Sequence, residues 1–249
     1  MTSLADKAAL FKDLHRPGDP VILPTVWDAW SADLVRQAGF AGLTIGSHPL
    51  AASAGATDRE GMALGEVLAR VREITAAVDI PVSVDLESGY GADAAKLVDG
   101  VLAAGAVGFN IEDTVHAEGG RLREPREHAD FIAELRSAID ASGVPLVLNA
   151  RTDLFLRQDG DAADRVDRAV ARLRLAAAAG ADVLYPIGRL DDEALRRLTA
   201  ELPLPVNVVA MPESGDRAHF AESGVARVSF GPFLQNHLAA TALGVLRRW

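Results

Sequence analysis

The sequence predicts an α/β fold, a (β/α)8 TIM barrel carried as a single domain over 1–249. Three observations lead there. Short apolar runs recur at fairly even intervals, at 21–26, 42–45, 82–86, 107–111, 146–150, 183–186, 206–209 and 227–230. Most lack strict alternation, as expected of strands buried on both faces of a parallel sheet. Helical spacing fills the gaps between them, and several helix-to-strand steps pass through glycine.

The elements follow in order. Gly39 precedes the second strand. A helix over 66–78 sets Val67, Leu68, Val71, Ile74 and Val78 on one face. The helix over 92–104 stops at Gly105, before the fourth strand. Glu124-Pro125 places proline in the first turn of a helix over 125–141. The helix over 161–179 ends at Gly180, which opens onto the sixth strand. Helices over 191–201 and 232–248 flank the last two strands, and Gly224 leads into the eighth. An open doubly wound sheet usually needs fewer strands, and no Gly-x-Gly-x-x-Gly follows the first one.

Composition narrows the function. The chain is 49% hydrophobic and 24% charged, enough for a sizeable core. Lys and Arg total 25 against 35 Asp and Glu, a formal charge of −10, so no nucleic-acid partner is expected. Zero cysteine removes disulfides, thiolate metal sites and a cysteine nucleophile. The start, Met1-Thr2-Ser3-Leu4-Ala5-Asp6-Lys7, is polar and unlike a signal peptide. No apolar run nears the roughly 20 residues of a bilayer span. A cytoplasmic protein with no membrane contact is the expectation.

Barrel active sites lie at the C-terminal ends of the strands. Read there, the sequence offers Trp27, then Gly46 and Ser47, then Asp85 and Glu87, then Glu112, then Asn149 and Arg151, with Asn207 on strand seven. Alternation sets Asp85 and Glu87 on one side of their strand, and Glu112 comes from the next. Three carboxylates so close raise one another's pKa unless a cation intervenes. A hard divalent ion, Mg2+ or Mn2+, resolves this with oxygen ligands, and Arg151 suits a substrate carboxylate. Ordinary readings exist for each group. Asp113 and Asp153 can cap or pair, and Arg151 can salt-bridge Asp85 or Glu112.

At these residues the sequence resembles the isocitrate lyase/phosphoenolpyruvate mutase superfamily, from about residue 23 to residue 233. Four segments carry the resemblance: Trp27-Asp28-Ala29-Trp30-Ser31-Ala32 with Gly46-Ser47, Val84-Asp85-Leu86-Glu87-Ser88-Gly89-Tyr90-Gly91, Gly108-Phe109-Asn110-Ile111-Glu112-Asp113, and Asn149-Ala150-Arg151-Thr152-Asp153. The resemblance implies a barrel that binds Mg2+ and makes or breaks bonds beside an enolate of a 2-keto or 2-hydroxy acid. It implies Asp85, Glu87 and Glu112 as metal-site carboxylates, Gly46 and Ser47 as holders of the substrate carboxylate, and Arg151 as a binder of substrate oxygens. Asp58 resembles an aspartate on the loop after strand two. Trp27, Tyr90, Asn149 and Asn207 are further candidate substrate contacts, each with core packing as its ordinary reading.

The departures matter as much. The lyases' Lys-Lys-Cys-Gly-His loop after strand four is here Thr114-Val115-His116-Ala117-Glu118-Gly119-Gly120-Arg121-Leu122-Arg123. His116 is the loop's candidate proton donor, with a solvent-exposed loop histidine as the favoured plain reading. Arg121 and Arg123 either close over an anionic substrate or face solvent. His15, His128 and His219 sit in polar helical contexts. The lysines, Lys7, Lys12 and Lys96, fall on helices, which disfavours a Schiff-base aldolase.

The leading expectation is a Mg2+-dependent C–C lyase acting on a small carboxylate. An oxaloacetate-type decarboxylase or hydrolase, a phosphonomutase-like enzyme, and a barrel that binds without turnover are the alternatives. Family members commonly form tetramers by exchanging C-terminal helices. The sequence stops soon after the helix following strand eight, so that exchange is not expected, and a homo-oligomer of another kind stays open.

Overall fold

The computed structural model describes residues 3–214 and 216–249. Met1 and Thr2 of the polar start lie outside the described residues. In chain order the first elements are α1 (Leu4–Asp13), β1 (Val21–Leu23), β2 (Thr25–Val26), α2 (Ala29–Gln37), β3 (Leu43–Ile45), α3 (Ser47–Ser53), α4 (Leu64–Ala77), β4 (Val82–Asp85), α5 (Ala94–Ala103) and β5 (Gly108–Ile111). There follow β6 (Thr114–Val115), β7 (Arg121–Leu122), α6 (Pro125–Ser142), β8 (Val147–Thr152), α7 (Arg165–Ala178), β9 (Val183–Pro186), α8 (Asp192–Glu201), β10 (Asn207–Val209), α9 (Arg217–Glu222), β11 (Arg227–Ser229) and α10 (Phe233–Leu246).

Parallel strands wind round the barrel in two sheets. One runs β2-β3-β4-β5-β8-β9 and the other β1-β11-β10. A parallel bridge from Leu184 to Val206 links β9 to the approach of β10. At the other seam β1 passes into β2 through Pro24. The sequence suggests one strand over 21–26. The structure splits it, because proline has no N–H to give a ladder and the chain changes partners there: Val21 faces Arg227, whereas Thr25 faces Thr44.

The strands are buried on both faces, and the two faces differ. Val82, Val84, Phe109, Ile111, Leu148 and Ala150 join the main core beneath the helices. The residues between them point into the barrel and are often polar: Ser83, Asp85, Asn110, Asn149 and Arg151. A second cluster closes the barrel's N-terminal end, where Ala8 and Phe11 of α1 pack on Val21, Leu23, Val147 and Val183. Helix α10 packs less deeply than most of the others. It buries none of its residues and exposes Leu243, Val245 and Leu246.

Two features near the C-terminal strand ends were not foreseen. The segment after strand four folds back as the antiparallel pair β6–β7 over a 3₁₀ turn at His116–Glu118. Gly119 and Gly120 make its reversal with φ of 69° and 74°, which glycine adopts without steric cost. Helix α3 begins directly after Gly46, where a Cβ would lie 2.6 Å from Thr25 Cγ2. Glycine is therefore required to bring this backbone against β2.

Candidate active site

Residues from the C-terminal ends of the strands surround a cavity of about 780 Å3. Gly46, Ser47, Asp58, Asp85, Glu87 and Glu112 line it, as do His116 and Arg151. Trp27, Tyr90, Asn149 and Asn207 are not in its wall. Trp27 is buried at the start of α2, its amide donating to Ser31 Oγ. Asn149 and Asn207 lie fully buried inside the barrel.

Strand pairing assembles the acids. Asp85 ends β4 and sits opposite Asn110 of β5, whose Nδ2 donates to Asp85 Oδ1 at 2.8 Å. Ser47 Oγ donates to Asp85 Oδ2 at 3.0 Å, and the Glu87 amide donates to Oδ1 at 3.1 Å. Burial raises the pKa of Asp85, with Arg151 pulling the other way. Glu87 stands on a left-handed backbone, φ 49°, a costly conformation for a non-glycine residue and one typical of functional turns. Its carboxylate accepts from Tyr90 Oη at 2.6 Å and from the Glu60 amide at 2.7 Å. Burial pushes Glu87 up to about 7, the Tyr90 hydrogen bond opposing. Burial likewise holds Glu112 well above the usual carboxylate range.

Cationic groups answer these acids. Arg151 Nη1 lies 2.8 Å from Glu112 Oε2 and 3.4 Å from Asp85 Oδ2, while Nε reaches Asp153 Oδ1 at 2.7 Å. Burial disfavours the Arg151 cation, but Asp153, Glu112 and Asp85 outweigh it and hold its pKa well above normal. Arg151 thus makes the salt bridges of its ordinary reading at the edge of the cavity. Asp113 and Asp153 also pair: Thr152 and the Asp153 amide donate to Asp113, and Thr114 Oγ1 donates to Asp153.

His116 departs from its favoured plain reading. Its side chain is 12% exposed, with Nε2 2.6 Å from Glu112 Oε1 and 3.7 Å from Glu87 Oε2. The β6–β7 turn folds it onto the acids. Asp58 borders the cavity with Oδ2 3.2 Å from His48 Nδ1.

Arg121 and Arg123 do not close over the cavity. Arg121 pairs with Glu118 and Glu127 at the surface. Arg123 lies over the Phe131 ring and donates to the Glu112 and Ser88 carbonyls, tying two strand ends together. His15 and His128 are buried rather than polar surface positions.

Sequence reasoning missed Glu60, Tyr185 and Arg227. Glu60 accepts from Ser88 Oγ and the Tyr90 amide, bracing the acidic turn. Tyr185, opposite Arg151 in the strand register, and Arg227 also line the cavity. The signal for Arg227 was available: it sits in an apolar run, two residues before Ser229 and on the same side of the strand.

The donor set suits a hard divalent ion, since carboxylate oxygens with raised proton affinity face one cavity. Among the described residues no three acidic or histidine side chains converge as a metal cage.

Comparison with known proteins agrees with the architecture. Residues 11–248 match the family described as phosphoenolpyruvate phosphomutase. A candidate phosphonomutase from Burkholderia cenocepacia superposes with a TM-score of 0.92 at 40% identity, covering 97% of this chain and 99% of that one. The oxaloacetate decarboxylase of Rhodopseudomonas palustris is 32% identical over 208 residues, 81% of this chain and 70% of its own length. A phosphonopyruvate hydrolase solved with oxalate and Mg2+ gives a TM-score of 0.82 at 25% identity, covering 97% of this chain and 84% of the other. With eight parallel strand positions and the acid-lined cavity at their C-terminal ends, the chain belongs to the phosphoenolpyruvate phosphomutase family, within the isocitrate lyase/phosphoenolpyruvate mutase superfamily of enzymes.

Proposed function

We propose that this single-domain barrel is a Mg2+-dependent lyase that cleaves a C–C bond in a small 2-keto or 2-hydroxy carboxylate. The observation that carries the reading is the gathering of Asp85, Glu87 and Glu112 with Ser47 and Arg151 on one cavity. Asp85, Glu87 and Glu112 are the residues that would hold Mg2+, which when bound supplies a Lewis acid for negative charge on substrate oxygens. Ser47 and Asn110 fix the Asp85 carboxylate by hydrogen bonds. Arg151 contributes fixed positive potential that needs no reorganisation during reaction. His116 is the group placed to move a proton, from Nε2 beside Glu112 Oε1. Among the described residues no helix is long and apolar enough to cross a membrane, and a cytoplasmic setting is part of the proposal.

A second reading, decarboxylation or hydrolysis of an oxaloacetate-like acid, is favoured by the loop after strand four. That loop offers His116 where the lyases carry lysine and cysteine, and the 32% identity to an oxaloacetate decarboxylase points the same way. Product analysis separates the readings. Oxaloacetate with Mg2+ yields pyruvate and CO2 by decarboxylation, or oxalate and acetate by hydrolysis. A 2-hydroxy acid yields two carbonyl or carboxylate fragments by aldol-type cleavage. Absence of any product, together with undiminished Mg2+ binding in Asp85→Ala, would overturn both.

A further inference from the structure

The cavity continues below the acids, and its deeper wall holds a cation of different character. Arg227 opens β11, opposite Val21 on one side and Asn207 on the other. Its neighbour Val228 belongs to the outer core, so alternation turns Arg227 inward. The side chain is 1% exposed and yet borders the cavity beside Thr44, Tyr185 and Ser229. Nη2 donates to Thr44 Oγ1 at 3.3 Å, and Cζ stands 5.9 Å from the centre of the Phe11 ring. Among the described residues, Nε and Nη1 have no hydrogen-bond partner. Among the described residues no carboxylate forms an ion pair with it. Buried charges are ordinarily paired, because an isolated one forfeits its hydration. Burial draws the Arg227 pKa down to about 10, which leaves the group charged at neutral pH.

We infer that Arg227 makes the cavity floor a second anion subsite, and that the substrate is a small dicarboxylate whose second carboxylate is seated there. This rests on the reading of the cavity as a carboxylate site. Two unpartnered guanidinium donors are what a carboxylate needs for a directional, charge-assisted contact. Arg151 and Arg227 border the same cavity, so a molecule bound there meets both cations. Arg151 is already engaged with Glu112, Asp85 and Asp153, whereas Arg227 keeps two guanidinium nitrogens without a partner among the described residues. A carboxylate of the substrate and a free inorganic anion share this chemistry, and the experiment tells them apart.

The test is calorimetric titration of the full chain with Mg2+ present, using malonate and succinate against pyruvate, with inorganic phosphate as the free-anion probe. The expected result is that one dicarboxylate binds at least about tenfold more tightly than pyruvate, and that Arg227→Met removes this advantage, weakening it about 10- to 100-fold. Pyruvate affinity stays within about threefold, the range of an untouched contact. Arg227→Lys, which keeps the charge, retains part of the advantage and guards against a folding defect in the methionine variant. Equal loss of pyruvate and dicarboxylate, or no loss of either, overturns the assignment. So does Arg227-dependent binding of phosphate alone. Failure of the C–C cleavage reading looks different: no product forms, while these binding differences persist.

Discussion

Arg151 and Arg227 project from strands of one barrel, both withdrawn from water, into opposite surroundings. Arg151 touches three carboxylates, and these hold its proton firmly. Arg227 meets one hydroxyl and an aromatic face, and burial loosens its proton. At the mouth of the barrel the acids hold a cation among them. At the floor, no carboxylate among the described residues forms an ion pair with the arginine. A buried ion pair commonly does little better than a well-packed apolar replacement, yet removing one partner is severe. The two arginines should therefore respond to the same substitution in opposite ways.

The largest effect falls on the acids themselves. Asp85→Ala should lower kcat/KM by about 10³-fold or more, because it removes charge aimed at the reacting oxygens. Steady-state assay on whichever acid is turned over measures this, and a loss under tenfold would detach Asp85 from the chemistry. Arg151→Met should cost about 3–5 kcal/mol of folding stability in urea titration, since it strands Glu112, Asp85 and Asp153 as buried like charges.

Acid sensitivity comes next and arises at two buried histidines. Burial, then Arg227, holds His15 at about 3, and burial, then Arg123, holds His128 at about 3. Both rings stay neutral in the folded chain, while the unfolded chain takes up their protons near 6.5. Their stabilising contribution is complete above about pH 6.5 and is lost as pH falls toward 3. The His15→Gln/His128→Gln variant should show a flatter decline of thermal midpoint over that window; an unchanged slope would contradict it. The smallest effect belongs to Arg227→Met. It should move stability by no more than about 1 kcal/mol, or raise it, because no carboxylate is left behind. A loss comparable to that of Arg151→Met would erase the contrast.

Most of the barrel was readable from local pattern. Each short apolar run became a strand, the first of them broken in two at Pro24, and Asp85, Glu87, Glu112 and Arg151 reached one cavity because strand parity and barrel order place them there. What depends on distant partners was not readable. Nothing near Pro24 announces that the chain exchanges β11 for β3 at that point. The folding of His116 onto Glu112 needs the β6–β7 reversal, a product of two glycines with positive φ in a segment that reads as an open loop. Trp27 and Tyr90 have the right composition for a pocket wall, but their orientation is set by α2 and by the strained acidic turn. Tyr90 instead steadies the Glu87 carboxylate.

The broken first strand has a kinetic consequence. Its first half pairs only with β11, through contacts between residues far apart in sequence. The neighbours β3, β4, β5 and β8 pair over much shorter separations. Loop-closure cost and contact order then favour an open sheet that forms early and a seam that forms late. Pulse-labelled hydrogen exchange should protect the β4, β5 and β8 amides before those of β1 and β11; simultaneous protection would exclude this order. On a ribosome, the nascent barrel remains a curved sheet with an unsealed edge until residues 227–229 emerge, so the seam at Pro24 times the moment at which the interior first becomes an enclosed space.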